Sequence, residues 1–389
     1  MDNKYLKELI AEAQSRGGGL LLNCDNKPAV VVMTVEKYNE LVNGRKAEEP
    51  AGEAKPSLGD LGMSVSGKKG RTILVTGGAG YIGAHVARML LRAGHEVVVL
   101  DNFSTGKREN VPDGAKLVEG DLADVNLLRD LFAAYRFDVV MHLAASLEVE
   151  ESVREPEKYL ENNLGNTMKL LAVMNEAGVR NLIFSSTAAV YGDPESLPIT
   201  EKSRVRPNNP YGYSKLLAEK VIKYHCAFLG LRAVVFRYFN ACGCDFDGAI
   251  KPTHTSHLIP IVIDVAKGNR QYILVNGGDY ETDDGTCVRD YVHVLDIAGA
   301  HIAVLDKLDE GDPFRLYNIG TSRGCSVKEV INSASETLGR IIPMEIGPRR
   351  PGDSMATVAD NTKLREELGY ELKYSDMRTI ITTTWKQMN

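Results

Sequence analysis

The sequence predicts an α/β protein whose main body, from Arg71 onward, is a doubly wound parallel sheet. Three observations predict it. Short apolar runs recur along the chain as Thr72-Ile73-Leu74-Val75-Thr76, Glu96-Val97-Val98-Val99-Leu100, Lys116-Leu117-Val118, Val139-Val140-Met141, Leu182-Ile183-Phe184 and Arg232-Ala233-Val234-Val235-Phe236. Stretches of helical character separate them, the first being Ile82 to Arg92. The runs are continuous, as in strands buried on both faces, and strands that alternate with helices form parallel sheets with helices on each side.

Ahead of this body, residues 45 to 69 are rich in Ala, Glu, Gly, Lys and Pro without apolar periodicity, the composition of a flexible linker. Residues 1 to 44 form a small α+β appendage. Lys4 to Ser15 places Leu6, Leu9, Ile10 and Ala13 on one helical side. Leu20-Leu21-Leu22 and Ala29-Val30-Val31-Val32-Met33 read as two strands around the turn Asp25-Asn26-Lys27-Pro28, and Thr34 can cap a helix through Leu41. The run Lys27-Pro28-Ala29-Val30-Val31-Val32-Met33 leading into Glu36-Lys37-Tyr38-Asn39-Glu40-Leu41 weakly resembles the dimerising part of prevent-host-death type antitoxins. DNA binding does not follow from that resemblance. So few residues make a poor core, so the appendage is expected to dock on the body or pair with another copy.

The 389 residues carry a formal charge of -6, 43% hydrophobic and 25% charged residues, the balance of a globular protein with no basic footprint for nucleic acid. Cys24, Cys226, Cys242, Cys244, Cys287 and Cys325 form no CxxC pair and face no His at zinc-ligand spacing, so reduced thiols and no metal are expected. No stretch approaches the ~20 apolar residues of a membrane span. The charged start Met1-Asp2-Asn3-Lys4 leads into no signal-peptide core, and a cytoplasmic location is expected.

Two motifs carry chemistry. Gly77-Gly78-Ala79-Gly80-Tyr81-Ile82-Gly83 lies between a strand and a helix. There Gly77 permits a tight turn, Gly80 lets the backbone approach a pyrophosphate, and Gly83 lets the helix pack close to the sheet. Asp101 closes the next strand about 20 residues on, where a carboxylate accepts hydrogen bonds from an adenosine ribose and repels a 2′-phosphate, so NAD is favoured over NADP. Lys107 and Arg108 read as solvated loop charges. The second motif, Pro210-Tyr211-Gly212-Tyr213-Ser214-Lys215, follows about 130 residues later. Residues four apart share a helix face, so a Lys215 ammonium can favour the anionic form of the Tyr211 phenol and make it a base. Alone the pair would be a solvated helix face; beside a dinucleotide site it is a catalytic candidate.

Together with Asp101-Asn102-Phe103-Ser104, Gly120-Asp121-Leu122, His142-Leu143-Ala144-Ala145, Phe184-Ser185-Ser186-Thr187-Ala188-Ala189-Val190-Tyr191-Gly192, Arg237-Tyr238-Phe239-Asn240, the stretch Asp284 to Val294 and Arg349-Arg350-Pro351-Gly352-Asp353, these motifs resemble the UDP-glucose 4-epimerase family. That family lies within the extended short-chain dehydrogenase/reductase superfamily, and the likeness runs from about Thr72 to the C-terminus. The resemblance implies a Rossmann NAD-binding domain over residues 70 to 242 and a smaller α/β domain over 243 to 389 that mainly binds the UDP-sugar. It places Gly77, Gly80, Tyr81, Ile82, Gly83, Asp101, Asn102, Asp121, Leu122, Leu143, Ala144, Asn162, Lys215 and Phe239 at the cofactor, with Leu147 standing where some members carry a cation. It places Thr187, Tyr211, Asn240, Leu258, Arg289, Tyr291, Arg350 and Asp353 at the substrate, with His257 where some members have Asn. A homodimer is a further family expectation.

In the mechanism so implied, the Tyr211 phenolate takes the proton of the sugar 4-hydroxyl while hydride leaves C4 for NAD. Lys215 supports the phenolate, Thr187 holds the 4-oxygen, and the 4-keto sugar turns over before hydride returns to its other face. Arg289 and Arg350 are cations suited to a pyrophosphate. Ala188 and Ala189 follow Thr187 where dehydratases and decarboxylases need additional acid/base groups. The preferred reaction is the interconversion of UDP-glucose and UDP-galactose, extending to UDP-GlcNAc and UDP-GalNAc. Thr357, four beyond Asp353 in a gapless count, is small at a position the family makes bulky to exclude N-acetyl groups. UDP-xylose and UDP-glucuronate epimerisation, and an idle NAD-binding regulator, are the alternatives. His142 and His293 read as core imidazoles. Gly17-Gly18-Gly19 and Gly277-Gly278 read as loops.

Overall fold

The computed structural model describes residues 19–24, 27–33, 70–253, 256–350 and 352–388. Strands β1 (Gly19–Cys24) and β2 (Lys27–Met33) form an antiparallel hairpin with a register shift between Leu22 and Asn23. Both strands run further than the apolar runs suggested: Gly19 starts one, and Lys27 and Pro28 belong to the other rather than to the turn. The helices expected at 4–15 and 34–41 and the linker at 45–69 lie outside the described residues.

The body follows as β3 (Thr72–Thr76), α1 (Tyr81–Arg92), β4 (Glu96–Asp101), β5 (Lys116–Glu119), α2 (Val125–Ala134), β6 (Val139–His142), α3 (Asn166–Glu176), β7 (Asn181–Thr187), α4 (Pro210–Phe228) and β8 (Arg232–Tyr238). After it come β9 (Asn240–Cys242), α5 (Leu258–Ala266), β10 (Ile273–Asn276), β11 (Val288–Arg289), β12 (Tyr291–His293), α6 (Val294–Ala303) and β13 (Phe314–Ile319). The chain ends with β14 (Cys325–Ser326), α7 (Val327–Leu338), β15 (Met344–Gly347), β16 (Ala356–Thr357) and α8 (Met377–Gln387). Seven strands form one parallel sheet in the order β13-β8-β7-β6-β3-β4-β5. The doubly wound sheet is therefore present, and its seventh strand comes from a stretch not read as a strand in the sequence.

Each sheet face is covered. On one, Ile73, Val75, Val97 and Val99 meet Val86, Leu90, Ile297 and Ala300 of α1 and α6. On the other, Leu74, Val98, Val140 and Val235 meet Leu128, Leu170, Ala218 and Ile222 of α2, α3 and α4. A separate core gathers α5, α7 and α8 around Ile273, Val275 and Tyr291. Among the described residues no helix is long and apolar enough to cross a membrane.

Chain order along the sheet reverses between β3 and β6, the switch point at which doubly wound sheets open a crevice. Two local features aim the neighbouring helices at it. Helix α1 begins immediately after the glycine turn, and α4 begins at Pro210 under a cap in which Asn209 Oδ1 accepts from Gly212 N–H at 2.8 Å.

Leu90 is fully buried between α1, α6 and the sheet. Leu90→Ala is expected to lower the unfolding free energy by about 2–5 kcal/mol, read as a lower urea midpoint. An unchanged midpoint would place Leu90 outside the core.

Candidate active site

The carboxyl ends of β3 to β8 open onto a cavity of about 800 Å³, whose far wall is built from residues beyond Asn240. Gly77 takes φ 71°, and a Cβ there would stand 2.7 Å from Ala144 N, so the ends of β3 and β6 approach through glycine alone. Gly80 differs. A Cβ on it would meet only Gly77 O, at 3.2 Å, so the chain's own packing demands glycine there far less than the cavity does. Helix α1 has no side-chain cap and no acidic residue in its first turn, which leaves N–H donors and a positive helix end facing the cavity. These features fit a dinucleotide pyrophosphate. Asp101 also ties the turn together: its carboxylate accepts from Ala79 N–H at 2.9 Å and Phe103 N–H at 2.8 Å. Asn102 Nδ2 donates to Asp121 Oδ2 at 2.7 Å, aligning the loops after β4 and β5. Arg108 pairs with Glu119 and lies over the Phe103 ring, as befits a solvated loop charge.

Helix α4 brings Tyr211 and Lys215 to the end of β7. Tyr211 hydrogen-bonds Thr187, and the Thr187 Oγ1 accepts from Ala189 N–H at 3.1 Å. Lys215 is 2% exposed; its ammonium donates to the Ser185 carbonyl at 2.8 Å and lies 4.8 Å from the Phe184 ring centroid. The ammonium is thus held by the strand that carries Thr187. Burial pushes the Lys215 pKa down to about 7, opposed by the charge of Glu219. Burial also raises the Tyr211 phenol, and the Thr187 hydrogen bond only partly offsets this. Desolvation thus disfavours phenolate and ammonium alike.

The opposite wall is assembled by short strand pairings. β12 runs parallel to β9, with Tyr291 opposite Asn240, and β11 lies between β14 and β16. Arg289 is aimed by the Val288 carbonyl, which accepts from Nη1 at 2.8 Å, and by Asp353, 3.3 Å from Nη2. Arg350 is half-exposed, 3.5 Å from Glu150.

Residues 73–320 match the NAD dependent epimerase/dehydratase family. A UDP-glucose 4-epimerase of Lacticaseibacillus casei is 45% identical over 316 residues, 81% of this chain and 96% of that protein. The chain belongs to the NAD-dependent epimerase/dehydratase family. Its structure is similar to that of the Brucella ovis UDP-glucose 4-epimerase in complex with NAD, with TM-score 0.78 and 43% identity over 81% of this chain and 97% of that one. It is likewise similar to the Bifidobacterium longum enzyme in complex with NAD+ and UDP, with TM-score 0.76 and 39% identity over 82% and 98%.

Every cofactor or substrate residue singled out from the sequence of this epimerase-family chain lines the cavity, with one exception. Thr357 is the exception: it lies in β16 opposite Arg289, and its carbonyl accepts from Asp290 N–H at 3.1 Å. His142 is a core imidazole, 2.8 Å from Thr76 Oγ1 and 2.9 Å from Thr167 Oγ1, and burial brings its pKa down to about 3. His293 is likewise buried, capping α6 by accepting from Leu295 N–H.

Sequence reading missed Ser185, which holds Lys215, and the contact in which the Tyr81 hydroxyl donates to Gly243 O at 2.5 Å, joining α1 to the far wall. No local pattern signals either. Behind Tyr81, His85, Cys244 and Asp245 cluster. There His85 Nδ1 meets Tyr81 O and Nε2 accepts from Asp245 N–H, leaving neither nitrogen for a cation. The five cysteines with described side chains are free.

Gly83 tests the cofactor turn, since a Cβ there would stand 2.1 Å from Gly77 O. Gly83→Ala is expected to weaken NAD retention roughly tenfold to hundredfold, measured as NAD released from the purified protein. Undiminished NAD content would remove the turn from the cofactor site.

Proposed function

We propose that this chain interconverts UDP-glucose and UDP-galactose by NAD-dependent epimerisation at the sugar C4. The observation that carries this reading is the meeting of Tyr211, Thr187 and Lys215 in one cavity with the glycine turn on one side and the Arg289–Asp353 pair on the other. Gly77, Gly80, Gly83 and the first turn of α1 would hold the pyrophosphate of NAD, with Asp101, Asn102, Asp121 and Leu122 toward its adenosine and Leu143, Ala144, Asn162 and Phe239 along the remainder. When bound, NAD accepts hydride from C4, returns it, and supplies a positive ring that favours a nearby phenolate.

The chain's own groups divide the remaining tasks. Tyr211 removes the 4-hydroxyl proton and later restores it; the Thr187 hydroxyl fixes the 4-oxygen beside it. Arg289, pre-aimed by Asp353, grips the UDP pyrophosphate, while Asn240, Leu258, Tyr291 and Arg350 bound the rest of the substrate. A firm grip on UDP and a loose one on the sugar let the 4-keto sugar turn over without escaping. Ala188 and Ala189 place no second acid or base beside Thr187, which favours epimerisation over dehydration.

Tyr211→Phe is expected to preserve the fold and NAD content while cutting turnover on the order of 10²–10⁴-fold. The reading is tested by incubating the protein, without added cofactor, with UDP-galactose, UDP-GalNAc, UDP-xylose and UDP-glucuronate. Conversion of UDP-galactose to UDP-glucose is expected. Conversion of the pentose or uronate alone would move the assignment to that sugar, and bound NAD without any turnover would leave an NAD-binding regulator.

We further propose a homodimer through the outer face of α4. Tyr213, Tyr224 and Phe228 form one exposed stripe on this helix, with Val153 and Met168 exposed on the neighbouring helical segments. Light scattering is expected to give a dimer, and Tyr224→Glu with Phe228→Glu a monomer. A dimer unaffected by both changes would place the interface elsewhere.

A further inference from the structure

We propose that Glu219 is a positioning residue for this reaction, holding Lys215 protonated and holding the end of β7 against α4 so that Tyr211 can ionise beside Thr187. The proposal rests on Tyr211 as the base. Tyr211, Lys215 and Glu219 follow at intervals of four on one face of α4, and each binds one of three consecutive strand residues. Tyr211 meets Thr187, Lys215 the carbonyl of Ser185, and Glu219 the hydroxyl of Ser186, which donates to Oε1 at 2.5 Å. Glu219 is 4% exposed and forms a bidentate pair with Arg237 of β8, which donates Nε to Oε1 at 2.9 Å and Nη2 to Oε2 at 2.6 Å.

Stability alone does not account for this pair. Taking two charges out of water costs several kcal/mol each, and apolar replacements of buried pairs are often neutral or stabilising. Among the described residues the Arg237 Nη1 also meets no hydrogen-bond partner of good geometry, although its guanidinium lies 4.7 Å from the Tyr191 ring centroid. What the carboxylate does provide is an anion one helical turn from a buried ammonium, on the same face of α4. Several titratable or charged groups surround Lys215 and Tyr211. His142 is held neutral by burial, Tyr238 is bound to His301, Arg237 is paired, Tyr159 packs edge-on against Tyr211 with its hydroxyl bound to Glu148 and to the Glu151 that pairs with Lys158, and Glu219 supplies the charge that opposes the desolvation of Lys215.

The sign of the effect follows. Without Glu219, Lys215 loses its proton at lower pH, and Tyr211, deprived of a cation, ionises at higher pH. Turnover, which needs the phenolate supported by the ammonium, is then confined from both sides. The test compares Glu219→Gln, Glu219→Asp and the double change Glu219→Gln with Arg237→Met, which leaves no unpaired buried charge. Three readouts apply: far-ultraviolet circular dichroism for the fold, turnover of UDP-galactose against pH, and tyrosinate absorbance of each protein minus its Tyr211→Phe counterpart.

Both forms without the carboxylate, charge-free at position 219, are expected to move the two limbs inward by about one to two pH units and to lower kcat near neutrality roughly tenfold to hundredfold, with KM little changed. Glu219→Asp keeps the native limbs. A folded double variant with the native pH window and native Tyr211 titration overturns the proposal. So does failure of both charge-free forms to fold while Glu219→Asp is native in fold and pH window, because Glu219 would then serve folding alone. If Tyr211→Phe retains turnover the assigned base is wrong, whereas the tyrosinate titration still reports whether Glu219 governs its ionisation.

Discussion

A buried ammonium sets the terms for the rest of this site. Lys215 is almost wholly excluded from water, and its charge survives only through what surrounds it: the Ser185 carbonyl, the Phe184 ring face and the Glu219 carboxylate. That requirement binds α4 to the end of β7 in a fixed register, which in turn brings Tyr211 to Thr187. Desolvation makes the ammonium costly, and by the same physics makes its charge effective across a short distance. Burial disfavours phenol and ammonium alike as ions, so the neighbours that oppose it govern the pair.

The second constraint is backbone proximity at the switch point. Gly77 and Ala144 stand too close for any side chain on the glycine, which aligns the ends of β3 and β6 beneath one crevice. The bare first turn of α1 then faces the same space as Lys215 and Tyr211. A small set of tertiary ties closes the far wall, among them Tyr81 to Gly243 and Arg289 to Asp353. The glycine turn and the residues proposed for the substrate therefore line one cavity, as a reaction that removes and returns the same hydride would require.

How much was legible in the sequence depended on distance along the chain. The glycine turn and the Tyr211-Lys215 pair are local patterns, and buried parallel strands give unbroken apolar runs, so the sheet and its catalytic edge could be read directly. Strand β13 escaped because Phe314 to Ile319 mixes Arg, Tyr and Asn into its apolar positions. Arg289 and Asp353 lie 64 residues apart; the resemblance placed both at the substrate, and only the structure pairs them. Glu219 escaped notice for another reason: an acid four residues from a lysine is the ordinary pattern of a solvated helix face, and burial alone distinguishes it.

The central claim is that hydrogen leaves C4 as hydride and returns to C4 of the same sugar inside one cavity. UDP-galactose carrying deuterium at C4, incubated with the purified protein in ordinary water and without added cofactor, tests it most directly. The account predicts UDP-glucose with the deuterium still at C4. Product that has exchanged its C4 label for solvent hydrogen would contradict it.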